Sequence, residues 1–194
     1  MSWQSQGDSF ATLFDQTGRR LYLTQAERGR FLSASLKCDR ATSAFAQLLA
    51  YSGCRISEAL ALTPSHLDAG TVRVVFRTLK RRRVAFRALP IPPRLMADLV
   101  ALSRGKQADE RIWTWCRQTA WRRVKALMVG CGIRGAHAMP KGLRHRFGIA
   151  NAEQNIPVAL TRIWMGHASI ETTAIYQHAV GAEERAFAKR LWRR

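Results

Sequence analysis

The sequence predicts a mainly helical protein with one small antiparallel β-hairpin, a fold of the α+β class. Apolar residues recur near helical spacing over most of the chain. Two segments near the middle, 72–76 and 84–89, instead alternate and are rich in β-branched and aromatic residues. With 194 residues, 47% of them hydrophobic, the chain has the length of one ordinary domain and can build a core.

The individual helices are predicted from their caps, breakers and apolar stripes. Residues 1–20 are polar and lack periodicity, so we expect them to form a tail or linker. Thr24 followed by Glu27 has the pattern of a capping box, which predicts a helix over residues 25–37. Further helices are predicted over 41–52, 56–62, from Pro92-Pro93 onward, and over 117–130, 141–154, 157–165, 170–178 and 182–192.

Positive charge dominates the chain, because 32 Lys and Arg against 13 Asp and Glu give a net charge of +19. Such a surface most often faces nucleic acid, since a polyanion neutralises clustered like charges. The basic residues cluster at the predicted hairpin tip (80–83) and at 117–125, 141–146 and 185–194. The candidate DNA-binding residues in these clusters are Arg81, Arg82, Arg83, Arg122, Arg123, Lys125, His145 and Arg146.

Several classes of protein are disfavoured by the composition. The four cysteines include no C-x-x-C pair, which argues against a zinc knuckle or a redox motif. No apolar run approaches the roughly 20 residues that span a bilayer, and no signal peptide opens the chain, so we expect a soluble cytoplasmic protein without membrane contact. Acidic residues are scattered and the histidines lack ligand spacing, which predicts no metal site.

Metal-free chemistry at a phosphodiester requires fixed cations, a nucleophile and a general acid. Arg55 stands at the start of a predicted helix, and Glu58 lies three residues further along, on the same helical face. Arg144 stands at the start of another predicted helix. His167 precedes Tyr176 by nine residues across a predicted turn. These residues are the candidates for phosphate binding and nucleophilic attack.

In this order, the three segments resemble the sequence boxes of the tyrosine recombinases, also called the phage-integrase family. They read GCRISEALAL at 53–62, GLRHRF at 142–147 and GHASIETTAIY at 166–176. The resemblance covers roughly residues 20–192. It implies the catalytic-domain fold of that family and a site-specific DNA recombinase or integrase of bacterial or mobile-element origin. Such enzymes cleave and rejoin DNA through a 3′-phosphotyrosyl intermediate without a metal ion or cofactor.

The resemblance implies a role for each matching residue. Arg55 and Arg144 would clamp the scissile phosphate, and His167 would form a hydrogen bond with it. Tyr176 would attack phosphorus, leaving a 3′-phosphotyrosyl protein and a free 5′-hydroxyl. Glu58 matches the acidic position that supports the first arginine.

The general acid of this family is a lysine in the β-hairpin, and Lys80 is the candidate here. A departure from the family pattern complicates this assignment, because Lys141 replaces the histidine that usually begins the H-x-x-R box. A lysine at 141 can also donate a proton, so the division of proton transfer between Lys80 and Lys141 stays open. His137 is interpreted as a surface or structural histidine.

The domain organisation is a second departure. Family members usually carry a helical core-binding domain before the catalytic domain, whereas here only the predicted tail (1–20) precedes the catalytic domain (21–194). Either the chain is a fragment or the protein is naturally short. The expected partners are double-stranded DNA and further copies of the chain in a dimer or tetramer. The last helix (183–192) would dock either on its own domain or on a neighbouring protomer.

Two other functions stay open from the sequence. A relaxing activity of the type IB topoisomerase kind would use the same chemistry. A non-catalytic or helper-dependent DNA-binding or regulatory protein would keep the fold and bind DNA without reacting. Replacing Tyr176 by Phe separates these classes, because DNA binding should survive while any covalent adduct disappears.

Overall fold

The computed structural model describes residues 13–78 and 85–177. Within these ranges it contains eight α-helices, one 3₁₀ turn and a three-stranded antiparallel sheet, which confirms the predicted fold class. The helices are α1 Gln25–Ser35, α2 Arg40–Ser52, α3 Ile56–Leu60, α4 Pro93–Ser103, α5 Arg117–Gly130, α6 Pro140–Glu153, α7 Val158–Met165 and α8 Glu171–Ala174. The strands are β1 Leu67–Asp68, β2 Arg73–Arg77 and β3 Phe86–Pro90, and the 3₁₀ turn is Pro64–His66.

Local contacts fix the start of α1 and the end of α2. The predicted capping box of α1 is present: the Thr24 N–H donates to Glu27 Oε2 at 2.7 Å, and the Glu27 N–H donates to Thr24 Oγ1 at 3.2 Å. Helix α2 ends at Gly53, whose φ of +60° favours glycine. A Cβ at this position would also lie 2.6 Å from the Phe147 ring. The chain therefore turns sharply from α2 towards α3 against the side of α6.

The sheet has the order β1-β2-β3, and the predicted hairpin strands are its second and third strands. Val74 lies opposite Leu89, and Arg77 lies opposite Phe86. Strand β1 was not predicted, because two residues are too few to show alternation. Arg87 lies on the same buried face of β3 as Leu89.

Helix α2 lies at the centre of the core, where it packs against α1, α4 and α6. Its side chains Phe45, Leu48 and Leu49 are fully buried, and burial of such a side chain contributes about 1.5–3 kcal/mol. The Phe45 ring meets Trp113 edge-on with the ring centroids 5.0 Å apart. Helix α6 is buried over most of its length, so its polar residues also enter the interior.

The predicted tail is wrong for residues 13–20. Leu13 joins the hydrophobic core, and Phe14 pairs with Arg20 in an antiparallel bridge. The Arg20 guanidinium forms two hydrogen bonds with Glu27, at 2.5 and 2.6 Å. This ion pair ties the segment to α1, a contact that the local sequence pattern does not reveal.

Other predicted elements differ in extent or lie outside the described residues. The helix predicted over 170–178 is shorter, because α8 comprises Glu171–Ala174 and a turn follows it. Residues 1–12, the hairpin tip (79–84) and the last predicted helix (182–192) lie outside the described residues. In the part of the chain that the structure describes, no helix is both long and apolar enough to cross a membrane.

Candidate active site

Arg55 stands directly before α3 and is held by a glutamate of that helix. The Arg55 N–H donates to Glu58 Oε2 at 2.8 Å, and Arg55 Nη1 donates to Glu58 Oε1 at 3.0 Å. The Glu58 side chain is fully buried, whereas the Arg55 side chain is 28% exposed. The guanidinium is therefore anchored on one side and open to solvent on the other.

A second arginine, which the sequence analysis missed, completes this ion-pair network. Arg87 on β3 is buried and donates to both Glu58 oxygens, at 2.7 Å from Nη2 and at 3.3 Å from Nη1. Burial raises the pKa of Glu58, but the charges of Arg87 and Arg55 and their hydrogen bonds bring it below its ordinary value. Glu58 is thus a carboxylate shared by two arginines.

Arg144 lies in the first half of α6 and points into the domain. Its Nη1 donates to the Gly53 carbonyl and its Nη2 to the Met165 carbonyl, both at 2.6 Å. Burial and the nearby Arg55 charge lower its pKa to about 10, so the guanidinium remains charged at neutral pH. Arg144 therefore joins the C-terminal ends of α2 and α7.

Tyr176 follows α8 and is almost fully buried, with 2% of its surface exposed. Its ring stacks on His167, with centroids 6.3 Å apart and planes 19° apart, and its Oη lies 3.2 Å from His145 Nδ1. Burial raises the pKa of Tyr176 to about 12, against the opposing charges of Arg144 and Arg55. The phenol is therefore protonated at neutral pH.

Two histidines flank the Tyr176 ring. Nδ1 of His167 lies 2.8 Å from Thr173 Oγ1, and the preceding Gly166 has a φ of +64° that ends α7. Burial and the Arg144 charge lower the pKa of His167 to about 3. Burial and the Lys141 charge lower that of His145 to about 4. Both rings are thus neutral at pH 7 and act as hydrogen-bonding groups.

Two of the predicted DNA contacts are corrected by the structure. His145 is buried beside Tyr176 and belongs to the interior of the site. Arg146 is buried as well, and its guanidinium forms two hydrogen bonds with Glu153, at 2.5 and 3.0 Å. Both residues lie in the buried middle of α6, where a run of basic residues does not mark a solvent-facing surface.

The other candidate DNA contacts have different surroundings. Arg122 and Arg123 are both exposed, and Arg123 also stacks on Trp115 at 4.6 Å and donates to Thr42. Lys125 donates to the Ala138 carbonyl at 2.8 Å. Arg81, Arg82 and Arg83 lie outside the described residues.

The two candidate general acids and His137 have distinct settings. Lys141 is exposed in the first turn of α6, while Lys80 lies outside the described residues. His137 is buried, and its Nε2 lies 3.2 Å from Glu27 Oε1. His137 is therefore an interior histidine held by a residue of α1, and not a surface one.

The structure brings four candidates, Arg55, Arg144, His167 and Tyr176, into one cluster. Arg144 is hydrogen-bonded to the carbonyls of Gly53 and Met165, each two residues before Arg55 or His167, and the Tyr176 ring stacks on His167. Two guanidinium groups beside a phenol can bind a phosphate and direct the phenol oxygen towards it. Among residues 13–78 and 85–177, no three His, Cys, Asp or Glu side chains are grouped to hold a metal ion.

The sequence profile of the phage integrase family matches residues 21–183, so this chain belongs to that family. The tyrosine recombinase XerD of Haemophilus influenzae is 27% identical over 186 residues, which cover 89% of this chain and 61% of XerD. The chain thus spans about three fifths of the length of this relative.

Solved structures show the same fold. The XerH recombinase bound to its palindromic difH substrate superposes with a TM-score of 0.77 at 19% identity, over 92% of this chain and 55% of XerH. The catalytic domain of bacteriophage HP1 integrase gives a TM-score of 0.65 at 19% identity, over 87% of this chain and 93% of that domain. The described residues therefore have the fold of a tyrosine recombinase catalytic domain.

Proposed function

We propose that this protein is a site-specific DNA recombinase or integrase that cleaves and rejoins double-stranded DNA without a metal ion. One observation carries the proposal: the buried Tyr176 phenol lies within the field of two arginines and contacts two neutral histidines. Membership of the phage integrase family supports it. So does the high positive charge of the chain.

In the proposed cleavage step, the Tyr176 oxygen attacks phosphorus and the bond from phosphorus to the 5′-oxygen breaks. Arg55 and Arg144 donate hydrogen bonds to the non-bridging oxygens, where negative charge increases in the transition state. The neutral His167 adds a further donor to the phosphate. The Tyr176 proton must leave during the attack, because a phenol with a pKa of about 12 is not ionised beforehand. The neutral His145, whose Nδ1 lies 3.2 Å from the phenol oxygen, is the candidate acceptor of that proton.

The departing 5′-oxygen takes a proton from a general acid and leaves as a hydroxyl. Lys80 and Lys141 are the candidates for this acid. In the rejoining step, a 5′-hydroxyl from a partner strand attacks the phosphotyrosyl group and releases Tyr176. The number of phosphodiester bonds is conserved, so no nucleotide or other cofactor is needed.

The assembly we propose is a dimer or tetramer of this chain on DNA, because exchange requires two cleaved duplexes. The segment 183–192 is the candidate contact between protomers. Residues 21–194 are the proposed catalytic domain, and residues 13–20 pack onto it. Residues 1–12 remain the proposed linker. The exposed Arg122 is a candidate contact to the DNA backbone.

Covalent trapping on DNA tests the chemistry. The protein is incubated in EDTA with nicked and bulged duplexes and with duplexes that carry the DNA flanking its own gene. We expect a denaturation-resistant protein–DNA adduct that the Tyr176→Phe protein does not form. If the protein shifts these duplexes in a gel but forms no adduct, the non-catalytic or helper-dependent function replaces this proposal. An adduct on nicked duplex followed by relaxation of supercoiled DNA, without exchange, would favour the topoisomerase-like alternative.

A sulfur-substituted substrate separates the two candidate general acids. With a 5′-bridging sulfur in place of oxygen, the leaving group is a thiol with a pKa of about 8.5 and departs without a proton. The alanine variant at the general acid should therefore regain cleavage on the sulfur substrate. We expect this rescue for Lys80→Ala and none for Lys141→Ala, and the reverse result would assign the role to Lys141.

A further inference from the structure

Arg87 is a buried cation on β3 that contributes to the ion-pair network around Arg55. Its side chain is 4% exposed, and it stands on β3, 29 residues after its partner Glu58. A buried arginine that only neutralised Glu58 would need the two contacts already described. Arg87 makes additional contacts on two other sides, and these point to a further role.

The first additional contact joins Arg87 to the turn that carries His167. Arg87 Nε donates to the Trp164 carbonyl at 2.8 Å, near the C-terminal end of α7. The guanidinium also lies so close to Gly166 that a Cβ there would be 3.0 Å from Arg87 Nη1. The residue directly before His167 is thus in contact with the same planar group that holds Glu58.

The second additional contact is on the hairpin. Arg87 Nη1 lies 3.3 Å from Thr78 Oγ1, and the guanidinium stacks on Phe76 at 5.0 Å. Phe76 lies on β2, and Thr78 directly follows that strand. Arg87 therefore contacts β2, α3 and the end of α7 at once.

We propose that Arg87 is a positioning residue of this site: its rigid guanidinium fixes Arg55, through Glu58, relative to the turn that carries His167. The inference rests on the proposed function. Its physical basis is the planar fork of arginine, which directs several N–H donors at fixed angles. Lysine at this position keeps the charge but cannot satisfy Glu58 and the Trp164 carbonyl in the same geometry.

The chain offers a matched control in Arg20. Arg20 and Arg87 each form two hydrogen bonds with a glutamate, and both glutamates accept a bond from the backbone N–H of the residue before their helix. The pair of Arg20 with Glu27 lies at the start of α1, where Glu27 also contacts His137, and within the described residues neither side chain bonds to Arg55 or Tyr176. A variant at Arg20 therefore reports what the loss of such an ion pair does to folding alone.

The test compares Arg87→Lys and Arg87→Met with Arg20→Lys and Arg20→Met in the full chain. Thermal unfolding measures stability, and NMR of the ¹⁵N-labelled protein measures the Arg55 Nε–H and His167 ring signals. We expect both Lys variants to remain folded. The Arg55 and His167 signals should move in Arg87→Lys and stay in place in Arg20→Lys. Unchanged signals in Arg87→Lys overturn the proposal whether or not the protein cleaves DNA.

Covalent trapping adds the functional readout. A misplacement near 1 Å can lower a rate by about 100-fold, so we expect Arg87→Lys to form the Tyr176 adduct about 10- to 100-fold more slowly. Affinity for the same duplex should stay within about twofold, because Arg87 is not exposed to DNA. If the wild-type protein forms no adduct, the proposed function fails, while the NMR comparison still decides the role of Arg87. Equal adduct rates in Arg87→Lys and Arg20→Lys would refute the positioning role.

Discussion

The ring of Tyr176 lies directly against Gly148 of α6. A Cβ on Gly148 would be 2.5 Å from Tyr176 Cε2, which is closer than real Cβ contacts come. The absence of a side chain at this helical position therefore leaves the space that the phenol occupies. Gly148 also explains how Tyr176 can reach His145, which stands three residues earlier on the same helix.

The substitution Gly148→Ala should expel the Tyr176 ring from this position. We expect a loss of stability of about 1–3 kcal/mol from overpacking and a slower formation of the covalent adduct. Thermal unfolding and the trapping assay measure the two effects. Gly29→Ala in α1 is the matched control, because nothing lies within 4 Å of its Cβ. The Gly29→Ala change should raise stability slightly through helix propensity. A Gly148→Ala protein with unchanged stability would contradict the prediction.

Arg144 can be tested by replacement with lysine. One ammonium group cannot reach both the Gly53 and Met165 carbonyls and still present two donors to a phosphate. We expect the adduct rate to fall by about 100-fold or more, with DNA retained in a mobility-shift assay. Arg30→Lys is the control, since Arg30 is an exposed arginine that donates to the Cys131 carbonyl at 3.2 Å. Adduct formation by Arg144→Lys at the wild-type rate would rule out the clamping role.

The elements that the sequence predicts well are those with local signals. The Thr24–Glu27 capping box gives the start of α1, and the helix predicted over 117–130 has the bounds of α5. Gly53 ends α2 because a left-handed conformation suits glycine. These signals depend on neighbours within a few residues, so no tertiary information is required.

The features that the sequence missed depend on distant partners. Residues 13–20 pack onto the domain because Arg20 forms an ion pair with Glu27 and Leu13 is buried in the hydrophobic core. Arg87 could have been recognised as inward-facing, since it lies two residues before Leu89 and therefore on the same face of β3, but its partner Glu58 lies on another element. The burial of Arg146 was missed because charge clustering describes composition and not which side of α6 faces the core.

The two histidines of the site predict how stability depends on pH. The pKa of His145 is lowered to about 4 and that of His167 to about 3, from an ordinary value of 6.5. Between pH 6.5 and 4 the unfolded chain therefore binds more protons than the folded chain, so stability falls as the pH is lowered. The carboxylate of Glu27, with a pKa of about 2 against 4.5, adds a loss in a lower window.

NMR titration of the ring signals measures this directly. His145 and His167 should remain in the neutral form down to about pH 5, while the midpoint of thermal unfolding already decreases below pH 6.5. A His167→Gln protein should show a smaller decrease over the same range. The prediction fails if either ring titrates near pH 6.5, because that would mean it is not desolvated in the folded protein.

Gly142 provides a test of how the start of α6 is held. A Cβ at this position would lie 1.9 Å from the His137 carbonyl oxygen, a backbone atom that cannot rotate away. The substitution Gly142→Ala must therefore move either the preceding loop or the first turn of α6, which carries Lys141 and leads into Arg144. We expect the midpoint of thermal unfolding to fall by about 5–10 °C, the consequence of about 2–3 kcal/mol of overpacking.

The control for Gly142 is Gly130→Ala at the end of α5, where nothing lies within 4 Å of an added Cβ. We expect its unfolding midpoint to change by less than about 2 °C, because helix propensity alone is affected. The covalent adduct should form more slowly in Gly142→Ala at a temperature where both proteins are folded, since Arg144 moves with the first turn. Equal stability of the two alanine variants would show that the loop at His137 can yield, and that Gly142 does not fix the position of Arg144.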